Sequence, residues 1–135
     1  MVTAVDTSVL LDVLLDDPRH APSSLVALRR AANEGVLIIS ETALSEILPV
    51  IPPGEVDSFL SDWRLRFVPS TQPVAISAGE MFRAYLQRGG KRGRVVPDFL
   101  IAAHAQHLAD RLLARDRGYY RDYFDRLELW DPSSR

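Results

Sequence analysis

Residues 2–14, VTAVDTSVLLDVL, decide the fold class. The apolar run VTAV reads as a buried strand that stops at Asp6, and Val9, Leu10, Val13 and Leu14 then recur at helical spacing. The same strand-then-helix order repeats along the chain. DDPRHAP (16–22) is a loop, and Pro22 opens a helix that runs to Gly35, a good stop signal. VLIIS (36–40) predicts the second strand and 42–48 the next helix, broken by Pro49, Pro52 and Pro53. GEVDSFLSDW (54–63) is helical with Val56, Phe59, Leu60 and Trp63 on one face, and RFV (66–68) is a short strand. Pro73 begins a long helix striped by Ala78, Met81, Phe82, Tyr85 and Leu86, and Pro97 is placed as the first helical residue of PDFLIAAHAQHLA. RLLA (111–114) and LELW (127–130) are the last strands, with a helical turn over GYYRDYF between them. Strands alternating with helices imply right-handed crossovers and a mostly parallel sheet covered on both faces. The expectation is one α/β domain over residues 1–135 with a central sheet of about five strands.

Composition permits such a domain and excludes several others. With 135 residues, 47% hydrophobic and 25% charged, the chain can bury a core without metal or disulfide staples. No stretch approaches the roughly 20 apolar residues of a membrane span. The apolar start is interrupted by Asp6 and Asp12 and lacks a basic flank, so it does not read as a signal peptide. The absence of cysteine excludes disulfides, thiolate nucleophiles and cysteine zinc sites, and a cytoplasmic location is expected. The net charge of −2 conceals an uneven distribution. Residues 1–62 hold ten acids and three arginines, a balance of −7, whereas 63–135 hold thirteen basic residues and eight acids, a balance of +5. The densest stretch is QRGGKRGRVVPD (87–98), a glycine-rich basic loop of the kind that can track a phosphate backbone.

In an open α/β sheet the site lies beyond the carboxyl ends of the strands, where strand order reverses. Asp6 follows the first strand and Asp116 follows RLLA, while Glu46 and Asp98 lie on helices beside such strand ends. Each acid also has a structural reading, Asp6 and Asp98 as helix caps or dipole partners, Asp116 as a turn residue, Glu46 as a solvated one. Together, converging carboxylates repel one another and need a cation to hold them. Glu41 competes with Glu46, being nearer the strand end.

VDTSVLLDVL (5–14), ALSE (43–46), PDFLIAAHA (97–105) and LLARDRGYYRDYF (112–124) resemble, in order and over the whole chain, the motifs of PIN-domain nucleases. They are most similar to the VapC toxins of bacterial and archaeal toxin–antitoxin pairs. The resemblance implies a PIN-like three-layer α/β/α fold and an acidic cluster of Asp6, Glu46, Asp98 and Asp116 that is both catalytic and the ligand set for Mg²⁺ or Mn²⁺. It favours Glu46 over Glu41. It implies cleavage of structured RNA by an endoribonuclease, a cognate antitoxin covering the site, and a homodimer. Two positions depart from the pattern: Ala114 stands where the family often has Thr or Ser, and Tyr119 where many members carry a further acid. Both bear on a second metal rather than the first.

Phosphodiester hydrolysis at neutral pH needs a deprotonated water in line with the leaving oxygen and compensation of the phosphoryl charge, which a carboxylate-held divalent cation supplies. Thr7 or Ser8 is placed to position a water or to cap the first helix, and Arg92, Arg94 and Arg115 are candidates for substrate phosphates. Other constellations fail. His104 and His107 have no third ligand nearby, and His104 amid AAHA reads as packed. GGKRGR has no Ser or Thr after Lys91 and is no Walker loop, DTS lacks the second acid of a phosphoaspartate site, and no Gly-x-Ser-x-Gly elbow occurs. A PIN nuclease of RNA processing without a toxin role, or a weakly catalytic RNA- or antitoxin-binding module, stands as the alternative.

Overall fold

The computed structural model describes residues 1–93, 95–115 and 118–133, with Tyr119 described by its backbone alone. The elements run β1 (Val2–Val5), α1 (Thr7–Leu14), α2 (Ala21–Glu34), β2 (Val36–Ile39), α3 (Glu41–Ile47), a 3₁₀ turn (Leu48–Val50), α4 (Val56–Asp62), β3 (Leu65–Phe67), α5 (Gln72–Gln87), α6 (Val96–Leu108), β4 (Arg111–Leu113), α7 (Tyr119–Tyr123) and β5 (Leu129–Trp130). The strands form one sheet in the order β3-β2-β1-β4-β5, and every pairing is parallel. Helices cover both faces, giving the expected three-layer α/β/α architecture.

The strand order explains where a site can form. From β1 the chain steps outward through β2 to β3, then returns to place β4 on the other side of β1. The reversal falls between β1 and β4, and a crevice opens there beyond their carboxyl ends. Asp6 N–H donates to Leu113 O at 2.9 Å, carrying the pairing to the ends of both strands.

Central strands of a parallel sheet are covered on both faces and read as continuous apolar runs. Accordingly β4 and the last three residues of both β1 and β2 are buried. Helix α6 is buried over Phe99 and 101–105, its alanines letting it lie close on β1 and β4. Gly35 is required by close approach, since a Cβ there would stand 1.9 Å from Met1 O.

At the opposite end of the sheet Arg111 is buried, with Nε donating to Thr3 Oγ1 at 2.9 Å and Nη2 to Glu34 Oε2 at 2.7 Å. Its guanidinium lies 4.4 Å from the Trp130 ring centroid, which ties the edge strand β5 to the centre.

Element ends differ modestly from expectation. Pro97 is the second residue of α6, β5 is confined to Leu129–Trp130, and α4 is shorter than the run 54–63. The α4 stripe of Val56, Phe59 and Leu60 is only half-buried, because this helix covers a margin of the core. No helix among the described residues is long and apolar enough to cross a membrane.

Candidate active site

Asp6 sits where β1 ends and α1 begins. Its extended backbone (φ −76°, ψ 153°) makes it the N-cap of α1, so the side chain turns back over the first turn and accepts from Ser8 N–H at 3.1 Å. The Ser8 hydroxyl also donates to Asp6 Oδ2, and Tyr120 Oη donates to Oδ1 at 3.1 Å. The carboxylate is 2% exposed and makes no ion pair among the described residues.

Thr7, the first residue of α1, points its hydroxyl at the next helix and donates to Glu46 Oε1 at 2.8 Å. The two glutamates of α3 have different partners. Glu41 turns the other way, accepting from Ser70 N–H at 3.0 Å. Burial opposes the Glu41 charge, but the polar groups of Ser70 beside it, its N–H donating directly, outweigh it and hold the carboxyl below its ordinary value. Glu46 is exposed and stands one residue-link from Asp6 through Thr7.

Asp98 is half-buried in the first turn of α6. Its neighbour Phe99 packs on Tyr123 at 5.7 Å and Phe124 at 5.9 Å between ring centroids, against the helix whose Tyr120 reaches Asp6. Asp116 and Arg94 lie outside the described residues. Arg92 is exposed, its guanidinium 5.9 Å from the Phe82 ring centroid. Arg115 donates from Nη2 to Asp12 Oδ1 at 2.9 Å, and its N–H reaches Ser8 Oγ at 3.3 Å.

Two participants had not been expected. Asp12, 3% exposed on α1, holds Arg115 and accepts from Ser24 Oγ at 2.8 Å. Tyr120 was readable only as part of a short helical turn, its spacing to Phe124 being the available clue to an inward face. His104 is packed as expected, 1% exposed with Nε2 donating to Val68 O at 2.7 Å. Burial drives its pKa below the ordinary value, only partly offset by that carbonyl and by Glu41.

The donor set around Asp6 is carboxylate and hydroxyl oxygen, the chemistry that suits Mg²⁺ or Mn²⁺ rather than a softer metal. Among the described residues no three acids or histidines already stand within reach of one ion. The fit rests instead on Asp6: a buried carboxylate surrounded by neutral donors is the kind of group that a cation completes.

The PIN domain family model matches residues 3–124. Among solved structures the chain is similar to VapBC2 from Rickettsia felis bound to a promoter DNA fragment, with TM-score 0.72 and 24% identity over 97% of this chain and 100% of that one. It is also similar to DNA-bound VapBC from Salmonella typhimurium, with TM-score 0.72 and 19% identity over 98% of each chain. VapBC-1 from nontypeable Haemophilus influenzae gives TM-score 0.74 and 14% identity over 99% of this chain and 100% of that one. No curated protein matches the chain. Likeness at these identities speaks for the fold, and the family model, spanning Asp6, Glu46 and Asp98, speaks for more: the chain belongs to the PIN-domain family.

Proposed function

We propose that this chain is a metal-dependent endoribonuclease acting as the toxin of a toxin–antitoxin pair. The observation that carries the reading is the buried Asp6 carboxylate at the β1/β4 reversal, with Glu46 linked to it through Thr7. Asp6, Glu46, Asp98 and Asp116 would hold Mg²⁺ or Mn²⁺. When bound, the cation supplies Lewis acidity for water activation and offsets charge on the phosphoryl oxygens.

The chain's own groups supply orientation. Tyr120 and Ser8 fix the rotamer of Asp6, and Thr7 occupies one oxygen of Glu46, leaving the other directed by that constraint. Arg92 and Arg94 are assigned to substrate phosphates, with Arg115 contributing those N–H groups that Asp12 does not use.

A cognate antitoxin is part of the same reading, supported by full-length similarity to chains of VapBC structures, and a toxin homodimer is proposed with it. A groove between α1 and α4, in which Leu14, Phe59 and Trp63 stand beside Glu55, Ser58 and Asp62, offers a mixed apolar and acidic surface for such a contact. A weakly catalytic RNA- or antitoxin-binding module is the second reading, favoured by Ala114 and Tyr119 at the two positions where the chain departs from the family pattern.

The test is incubation of the purified chain with RNA and Mg²⁺ or Mn²⁺, against EDTA and against Asp98→Asn. Cleavage lost in EDTA and in the variant supports the nuclease. Equal cleavage in all arms overturns the metal site, and no cleavage in any arm favours the binding module. Growth arrest on induction, relieved by a co-expressed antitoxin, supports the toxin role.

A further inference from the structure

Two buried carboxylates stand on the first helical segment, Asp6 at its N-cap (2% exposed) and Asp12 within it (3% exposed). Arg115, just beyond β4, touches that segment at two points. Its backbone N–H donates to Ser8 Oγ at 3.3 Å, and that hydroxyl in turn donates to Asp6 Oδ2. Its guanidinium reaches Asp12, with Nη2 2.9 Å from Oδ1. Ser8 and Asp12 stand at i and i+4 on one face of α1. The Arg115 side chain therefore runs along α1 away from Asp6, although its backbone is separated from the Asp6 carboxylate by a single hydroxyl.

Asp12 is itself held. Ser24 on α2, fully buried, donates from Oγ to Asp12 Oδ2 at 2.8 Å, which leaves Oδ1 turned to the guanidinium. A buried ion pair adds little to stability over apolar residues of equal volume, so the packing of α1 does not by itself call for Asp12.

The alternative partner for this arginine is Asp6. That carboxylate is buried among neutral donors and has no ion pair among the described residues, the setting in which it attracts a cation most strongly. A guanidinium seated there would cover the oxygens that a divalent ion must take. Asp17, the other acid whose charge Arg115 feels, already accepts from the N–H groups of Arg19 and His20.

We propose that Asp12 is a positioning residue that restrains Arg115, keeping its guanidinium off Asp6 so that this carboxylate stays open to a divalent cation. The role rests on the reading of Asp6 as a metal ligand, and adds to it a buried acid that acts only through Arg115.

The experiment titrates Mn²⁺ by calorimetry into the full metal-free chain and pairs this with a metal-free crystal structure. Asp12→Asn keeps the shape and an acceptor for Ser24 but removes the charge that holds Arg115. It strands no buried charge, because the Arg115 side chain is one-third exposed. Asp12→Asn is expected to bind Mn²⁺ about tenfold more weakly than wild type. Asp12→Asn combined with Arg115→Gln should return the affinity to within about twofold of wild type. That rescue separates the restraint from a merely structural role, since the double variant alters the contact more than the single one does. Cooperative thermal unfolding shows that each variant is folded. In the metal-free crystal structure of Asp12→Asn, the Arg115 guanidinium should lie within ion-pair distance of Asp6.

Wild-type affinity in Asp12→Asn, or a double variant that binds no tighter than the single one, would overturn the restraint. An Arg115 guanidinium found anywhere but on Asp6 in Asp12→Asn would do the same. The two readings fail separately. A wild type that binds no Mn²⁺ sinks the metal site together with the role built on it, whereas Mn²⁺ binding that ignores Asp12 sinks the restraint alone.

Discussion

Tyr120 Oη donates a 3.1 Å hydrogen bond to Asp6 Oδ1 across 114 positions of sequence, and both residues are almost wholly buried. The bond joins the first helix turn after β1 to the helix that follows β4, across the reversal of strand order. Tyr120→Phe keeps the ring and removes the donor. It is expected to cost about 1 kcal/mol in urea unfolding. Cleavage should fall about tenfold or more, because Asp6 loses an orienting partner rather than its charge. A variant with wild-type turnover would remove Tyr120 from the site.

Asp12 and Arg115 form an ion pair whose acid is buried and whose arginine is about one-third exposed. Removing Arg115 strands a buried charge, so Arg115→Ala should cost about 3 kcal/mol. Replacing both by apolar residues, as Asp12→Leu with Arg115→Met, should cost less than the sum of the two single changes. Denaturant titration of the cycle checks this. Additive losses would mean that the pair carries no coupling.

His104 and Glu41 both make stability fall in acid, in separate windows. His104 is depressed below its ordinary value near 6.5, so the unfolded chain takes up the proton first and stability drops as pH falls below that value, until folded His104 also protonates. Glu41 is depressed below its ordinary 4.5, so its contribution is present above that value and lost as pH falls through the folded one. Replacing the buried imidazole by His104→Gln should lower overall stability but flatten the pH dependence just below 6.5. Thermal unfolding over a pH series reads it, and an unchanged profile would exclude His104 as its source.

The parts of this molecule that were readable in advance are local. Asp6 stands at the junction of an apolar run and a helical pattern, so both the fold class and the acid's place at a strand end follow from adjacent residues. His104 amid AAHA was readable for the same reason. Asp12–Arg115 and Arg111–Glu34 were not, because each links residues far apart in sequence with no periodic signature. They also change the meaning of the charge split. Two arginines counted in the basic half are paired with acids of the first half, so the positive surface is carried more narrowly, by the loop at 88–93 among others. Distance from a strand end did not distinguish Glu46 from Glu41; the structure gives them different partners, Thr7 for Glu46 and Ser70 for Glu41.

The central claim is that Asp6 anchors a divalent cation. Calorimetric titration of Mn²⁺ into the wild-type chain and into Asp6→Asn tests it, since asparagine preserves the helix cap and the side-chain shape. The wild type should bind Mn²⁺, and Asp6→Asn should bind at least about tenfold more weakly with its thermal unfolding still cooperative. Equal Mn²⁺ affinity in the two proteins, or none in the wild type, would contradict the account.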